Sequence, residues 1–163
     1  MIHFIVATLS EGRPLIDFFK LKISNNNNIF KIYHSTDISL TISGIGKLNS
    51  AMSVIKTFFD FNKQKNNIWI NLGLAGHKNY NIGDLFLVNK IEDSSSNKIY
   101  YPFVAHSKLK SIQCITYEKE NLDYNESLSE MEASGFFYSA NKFTSVELIQ
   151  VLKIISDNDK ESI

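Results

Sequence analysis

Acidic side chains stand beside the ends of several apolar segments that have the composition of buried β-strands. Glu11 follows the first of these segments, Asp157 follows the last, and Glu130 and Glu132 lie close together at the predicted start of a helix. Ligand sites of open α/β sheets gather at the carboxyl ends of their strands. Carboxylates placed there could act as general acids or bases, or bind hydroxyl groups. The structural alternative is that these acids only cap helices and favour helix N-termini.

Glycines occur at two further predicted strand ends. Gly44 and Gly46 lie in the segment 43–47, and Gly73, Ala75 and Gly76 follow the strand that contains Trp69. Such turns allow a ligand to approach the backbone closely, although glycines also occur in loops with no other role. The segment 43–47 does not have the spacing of a phosphate-binding P-loop, which argues against a nucleotide triphosphatase.

Strand-like and helix-like segments alternate along the chain, which predicts an α/β fold with a mixed sheet. Pro14 suits the first turn of a helix that follows a turn at 8–14. A second helix, after Lys47, has its apolar positions at Leu48, Ala51, Met52, Ile55, Phe58 and Phe59. A third helix is predicted over 131–143, before a last inner strand at 146–155.

The length and charge of the chain exclude several classes of protein. A chain of 163 residues suits one domain. Its 17 basic and 17 acidic residues give a formal net charge of zero, so the basic surface of a nucleic-acid partner is not expected. No apolar run is long enough for a membrane span, and the chain enters a strand directly, without a predicted leader. The single cysteine, Cys114, excludes an internal disulfide and suits the cytoplasm.

Arginine and candidate metal ligands are few. Arg13 is the only arginine, so one subunit cannot hold phosphate with several bidentate guanidinium groups. His34, His77 and His106 do not have metal-ligand spacing, and we expect them in solvated loops. We therefore expect no metal and no organic cofactor.

The order of these motifs resembles the purine nucleoside and uridine phosphorylase superfamily, above all its methylthioadenosine/S-adenosylhomocysteine nucleosidase branch. The most specific pieces are Ser43-Gly44-Ile45-Gly46-Lys47, Gly73-x-Ala75-Gly76 with Ile82-Gly83-Asp84, and Glu130-Met131-Glu132-Ala133. The resemblance spans nearly the whole chain. It implies a single domain over 1–163 with a three-layer fold, in which a central mixed sheet is flanked by helices. It also implies a homodimer or higher homo-oligomer, and a C-terminal helix after Asp157 that this sequence does not include.

The resemblance implies a role for each acid. Glu11 matches the acid that orients an attacking water, and Glu132 matches the acid that binds both ribose hydroxyls. Met131 matches the residue packed on the sugar. Asp157 matches the acid that hydrogen-bonds purine N7 and helps to protonate the leaving base. Thr116 and Tyr117 are the candidates for base binding, although Tyr117 could merely cover the sheet edge.

Two residues depart from the pattern of the resemblance. Asn71 stands where many phosphorylases have arginine, and Leu74 stands where serine is usual. Together with the single arginine, this favours water over phosphate as the nucleophile. The leading hypothesis is a nucleosidase that hydrolyses the N-glycosidic bond of a purine nucleoside or 5′-thionucleoside. A phosphate-dependent phosphorylase and a catalytically silent nucleoside-binding module are the alternatives.

Aromatic residues support the expectation of an oligomer. Phe58, Phe59, Phe61 and Trp69 lie close together in sequence. They supply more aromatic surface than one small core is expected to bury.

Overall fold

The computed structural model describes residues 1–24, 29–61, 66–104 and 108–160. In these residues, three α-helices separate groups of one to five successive strands. The strands are β1 Ile2–Val6, β2 Lys22–Ile23, β3 Lys31–His34, β4 Ile38–Ile42, β5 Ile68–Gly76, β6 Leu85–Asp93, β7 Ile99–Tyr100, β8 Ser111–Thr116, β9 Leu128–Glu130 and β10 Ile149–Asp157. The α-helices are α1 Leu9–Phe19, α2 Lys47–Phe61 and α3 Ala133–Ala140, and a short 3-10 helix spans Val146–Leu148. None of the helices in the described residues is long and apolar enough to cross a bilayer.

The strands form one mixed sheet, as predicted. β1 pairs in parallel with β4 on one side and β5 on the other, and β3 and β2 extend the β4 edge in antiparallel pairing. Beyond β5, the order β10, β6, β8 and β9 returns to β5, because β10 and β9 both pair with that strand. Five strands therefore close into a ring, a feature that the sequence interpretation did not include.

Alternating side chains of β1 separate two cores. Ile5 belongs to a large cluster built on β5, β6, β10, α2 and α3, whereas Phe4 and Val6 belong to a smaller cluster with Ile16 of α1. Successive residues of a strand point to opposite faces. Helix α1 therefore covers one face of the sheet, and α2 and α3 cover the other, which confirms the predicted layered architecture.

The first helix begins earlier than the sequence interpretation placed it. Thr8 is its N-cap, in extended conformation, and Glu11 completes a capping box with Thr8. Pro14 consequently lies inside the helix and not in its first turn. Glu11 is thus a first-turn residue of α1 rather than part of the turn that was predicted at 8–14.

Helix α2 buries its polar side and exposes much of its apolar side. Ser50, Ser53, Val54 and Thr57 face the protein interior, where the Thr57 hydroxyl lies 2.7 Å from that of Thr41 on β4. Small side chains allow the helix to approach the sheet closely. The opposite side presents Leu48, Met52, Ile55 and Phe59 to solvent.

Two other predicted boundaries change. Gly73, Ala75 and Gly76 belong to β5, which continues to Gly76, so this segment is a strand end and not a turn. Glu130 ends β9, and Glu132 occupies the N-cap position of α3 without a side-chain cap bond. The predicted turns at Gly44 and Gly46 are present, and both residues have positive φ angles of 83° and 103°, which glycine adopts at little cost.

Candidate active site

A cleft of about 200 Å³ opens where the carboxyl ends of several strands meet the first turns of two helices. It contains four of the predicted site residues with side-chain roles, namely Glu11, Met131, Glu132 and Asp157. The full lining comprises Ala7, Thr8, Glu11, Ile45, Leu74, Ala75, Gly76, Glu120, Asn121, Tyr124, Ser129, Glu130, Met131, Glu132, Ser156 and Asp157.

Glu11 is fixed at the cleft by hydrogen bonds to both of its carboxylate oxygens. Oε2 accepts bonds from the Thr8 backbone N–H at 2.6 Å and the Thr8 hydroxyl at 3.0 Å. Oε1 accepts a bond from the backbone N–H of Leu74 at 3.1 Å. The unusual Leu74 therefore contributes to the site through its main chain, which does not depend on its side chain.

Glu132 reaches the cleft from the start of α3 and is nearly buried. Its Oε1 accepts a hydrogen bond of 3.0 Å from the backbone N–H of Gly46. Burial raises the pKa of Glu132 above its ordinary value, while the positive charge of Lys153 acts in the opposite direction. The glycine turn before α2 is thus part of the site, because its amide holds this carboxylate.

A buried lysine lies between the acids. The side chain of Lys153 on β10 is fully buried, and its Nζ lies 2.8 Å from Glu130 Oε2 and 3.8 Å from Glu132 Oε2. Burial alone would lower the pKa of Lys153, but the two carboxylates raise it above its ordinary value. The sequence interpretation missed this residue, although a lysine within the apolar run Val151–Ile155 was a visible signal.

Gly73 packs closely against this lysine. A Cβ atom at position 73 would lie 3.1 Å from Lys153 Nζ and 3.4 Å from Glu11 Oε1. The ammonium group and the Glu11 carboxylate therefore both lie against Gly73 of β5. Lys153 is the buried cation that offsets the charge of Glu130 and Glu132.

The Glu130 carboxylate organises the backbone rather than the open cleft. It accepts hydrogen bonds from the Glu132 and Ala133 backbone N–H groups at 2.9 and 2.8 Å, and from the Thr116 hydroxyl. These bonds satisfy N–H groups at the start of α3, which would otherwise lack partners. Glu130 therefore fixes the backbone at the start of α3, from which the Glu132 side chain extends.

A second ionic cluster joins the two segments that hold Glu132 and Gly46. Lys47 Nζ donates to both oxygens of Asp93 at 3.0 and 2.9 Å, and the Ser134 hydroxyl donates to Asp93 at 2.8 Å. Burial would raise the pKa of Asp93, but these bonds hold it well below its usual range. Asp93 thus links Lys47, which follows Gly46, to Ser134, which lies two positions after Glu132.

Close helix packing completes this connection. A Cβ atom at Gly135 would collide with the backbone carbonyl oxygen of Lys47. Only glycine allows α3 to approach the start of α2 so closely. This contact brings the Glu132 carboxylate within reach of the Gly46 amide.

Asp157 lies at the end of β10 and lines the same cleft as Glu132. Its Oδ1 accepts a hydrogen bond from the Ser156 hydroxyl, and its Oδ2 accepts one from the phenol of Tyr124. Its backbone carbonyl accepts a bond of 3.1 Å from His77 N–H. Both carboxylate oxygens therefore already have hydroxyl donors in this arrangement.

The structure does not bring Thr116 and Tyr117 to the cleft. Thr116 is fully buried, and its hydroxyl is engaged with Glu130 and the Ser134 N–H. Tyr117 is half-buried and donates its backbone N–H to the Glu130 carbonyl at 2.8 Å. In the segment between β8 and β9, the residues that line the cleft come later, at Glu120, Asn121 and Tyr124.

His34, His77 and Asn71 lie outside the cleft lining. His34 ends strand β3 with its ring near that of Phe61, so it is not in a solvated loop. His77 is buried and stacks on Tyr80, so the expectation of a solvated loop position is wrong for it. His106 lies outside the described residues. Asn71 is buried and donates to the Ile5 carbonyl at 3.1 Å, away from the cleft.

The fold is similar to that of solved methylthioadenosine/S-adenosylhomocysteine nucleosidases. The apo 5′-methylthioadenosine nucleosidase of Arabidopsis thaliana superposes with a TM-score of 0.82 at 18% identity, covering 99% of this chain and 83% of that one. The Campylobacter jejuni nucleosidase gives a TM-score of 0.76 at 20% identity, covering 99% and 87%. The Neisseria meningitidis nucleosidase, in complex with methylthio-immucillin-A, gives 0.79 at 15% identity, covering 96% and 85%.

By sequence alone, the chain matches no protein-family model and no curated protein. The resemblance stated from its motifs is therefore supported by the fold.

Proposed function

We propose that the protein is a nucleosidase that hydrolyses the N-glycosidic bond of a purine nucleoside or 5′-thionucleoside. The observation that carries the proposal is the convergence of Glu11, Glu132 and Asp157 on one cleft from three distant parts of the chain. The substrate class follows from structural neighbours that were solved with 5′-methylthioadenosine or methylthio-immucillin-A.

Each carboxylate has a role that fits its contacts. Cleavage of the bond leaves positive charge on the sugar and negative charge on the base, so carboxylates favour the first and a proton donor favours the second. Glu132, held by Gly46, accepts hydrogen bonds from the ribose hydroxyls, and Met131 packs on the sugar. Water attacks the anomeric carbon and gives its proton to Glu11. The bonding electrons pass to the base, which receives a proton through Asp157.

The charge of the cleft favours water over phosphate as the nucleophile. Its described lining includes Glu11, Glu120, Glu130, Glu132 and Asp157 but no lysine or arginine. Lys153 beneath it is already paired with Glu130, and the only arginine, Arg13, is exposed on α1. A dianion entering this site would meet several carboxylates and no free guanidinium group.

The test is base release from adenosine, inosine and methylthioadenosine, with and without phosphate, followed by chromatography. We expect free base and free sugar without phosphate, and no rate increase when phosphate is added. A strict requirement for phosphate, with sugar phosphate as product, would instead identify a phosphorylase. Absence of base release from all three would leave a silent nucleoside-binding module.

A second copy of the chain is the proposed partner, and the supporting surface is the exposed side of α2. Leu48, Met52, Ile55 and Phe59 are 72%, 51%, 42% and 71% exposed. Their spacing of four, three and four residues forms one stripe on the helix, which is the spacing of helix–helix contacts. Of the aromatic residues first considered for this role, Trp69 is fully buried and only Phe59 is largely exposed.

We expect the wild type to be a dimer at tens of micromolar, and Phe59→Glu to be monomeric. Phe18→Glu is a matched control, because Phe18 is 78% exposed on α1 and also packs edge-to-face on its neighbouring phenylalanine. Light scattering after size exclusion measures the mass of each. A monomeric wild type, or equal masses for the two variants, would contradict this surface.

We place the protein in the cytoplasm, where its single buried cysteine stays reduced.

A further inference from the structure

Tyr124 inserts an aromatic ring into the cleft at the side of Asp157. Its phenol donates a hydrogen bond to Asp157 Oδ2. Its ring lies against the backbone of Gly76, where an added Cβ atom would come within 2.8 Å of Tyr124 Cζ. The ring therefore fills the space next to the carboxylate that the proposed function assigns to the leaving base.

The size of the cleft is consistent with such an occupant. Its volume is about 200 Å³, below the roughly 300–1,000 Å³ of ordinary small-molecule pockets. The Tyr124 ring lies directly against Gly76 and reaches Asp157 Oδ2 with its hydroxyl. A flat base that packs on Gly76 and approaches the same oxygen would need the space that this ring fills, so the two compete for space and not for the lone pairs of the oxygen.

The chain around Tyr124 is anchored on both sides of it. The Asn121 carbonyl accepts a bond of 3.1 Å from the Ser129 hydroxyl, and Ser127 N–H donates to the Asn125 side chain at 2.7 Å. The Tyr124 side chain itself is half-buried, and its hydrogen bond is to Asp157. Burial and the Asp157 carboxylate together raise the pKa of Tyr124, which keeps the phenol protonated as a donor. Rotation of this side chain would open the space without unfolding its segment.

We propose that Tyr124 is a specificity-determining gate that occupies the base subsite and must be displaced by the nucleobase. The inference rests on the proposed function, because it assigns the base to Asp157. Affinity for a nucleoside is then reduced by the fraction of molecules in which the gate is open. A base gains entry only if its contacts with Asp157 and Gly76 outweigh those of the tyrosine, which disfavours small or weakly bonding bases.

The test compares Tyr124→Ala, which removes the ring, and Tyr124→Phe, which removes only the hydroxyl. If the gate is open in about a tenth of molecules, Tyr124→Ala lowers the Kd for adenine and the KM for methylthioadenosine about tenfold. Because the Tyr124 phenol also bonds the Asp157 carboxylate, kcat is measured separately, and the affinity for adenine is the quantity that tests the gate. Tyr124→Phe should gain part of this affinity, and the exposed-residue control Tyr101→Ala should gain none.

Calorimetry measures adenine binding, chromatography measures turnover, and thermal melting confirms that each variant is folded. If the wild type is active and Tyr124→Ala binds adenine equally or more weakly, the gate is wrong and Tyr124 is a wall of the base site. If neither the wild type nor any variant binds adenine or releases base, the proposed function fails and the gate fails with it. Activity that appears only in Tyr124→Ala would support both.

Discussion

Replacing Glu132 by glutamine is expected to reduce turnover of methylthioadenosine by about 10²–10³-fold or more, the scale for losing one preorganised electrostatic contact. Glutamine cannot accept hydrogen bonds from two ribose hydroxyls as a carboxylate does, because its NH₂ group only donates. The same NH₂ group would also face either the Gly46 N–H or the Lys153 ammonium group. The substitution therefore removes an acceptor and places donor against donor.

The fold should survive this substitution. Lys153 keeps its ion pair with Glu130, and Asp93 still joins Lys47 to Ser134. Glu126→Gln is a suitable control, since Glu126 is exposed and lies outside the cleft lining. Chromatographic initial rates measure activity, and melting curves verify folding. Near-normal turnover by Glu132→Gln would remove this residue from the site.

Local sequence patterns were sufficient to find the acids of the cleft. Glu11, Glu132 and Asp157 each follow or precede an apolar segment whose type is visible in a few residues. Since strand ends of one sheet meet at one edge, their convergence could be inferred without knowing the register. The sequence pattern did not show that Glu11 belongs to a helix, because its capping box with Thr8 lies within the predicted turn.

The pairing of strands that are distant in sequence could not be inferred from local sequence patterns. The ring of strands depends on β10 lying between β5 and β6, and on β9 returning to β5. Lys153 shows the consequence, since a lysine in an inner strand is tolerable only when a carboxylate from elsewhere pairs with it. Its partner Glu130 lies on β9, so neither residue alone predicts the ion pair.

Periodicity identified helix α2 but not the side that is buried. The apolar stripe that contains Met52 and the Ser/Thr stripe that contains Thr57 have the same helical period, so either could face the sheet. The choice is made by the sheet surface, where Thr41 offers a hydroxyl partner to Thr57. The sequence pattern also did not show that Thr116 and Tyr117 lie outside the cleft lining, because an irregular connection carries no period that fixes which of its residues turn inward.

Asp157→Asn is expected to lower the rate of hydrolysis of methylthioadenosine by about 10²–10⁴-fold, the usual span for a general acid. Asparagine keeps one acceptor oxygen for one of these hydroxyls and offers its NH₂ group to the oxygen of the other, but it cannot carry a proton to the leaving base. The loss should be much smaller for a nitrophenyl riboside, whose leaving group departs without protonation. The comparison of the two substrates in one variant isolates the proton transfer from any general loss of binding.

The thermal midpoint of Asp157→Asn should hardly change, because the residue is half-exposed and its backbone bond to His77 is retained. An equal loss on both substrates would mean that Asp157 positions the base without protonating it. If the variant unfolds and the wild type releases no base, Asp157 is a structural residue that holds Tyr124 and Ser156, and the nucleosidase chemistry does not apply to this chain. The leaving-group comparison thus separates proton transfer, positioning and structure at a single carboxylate.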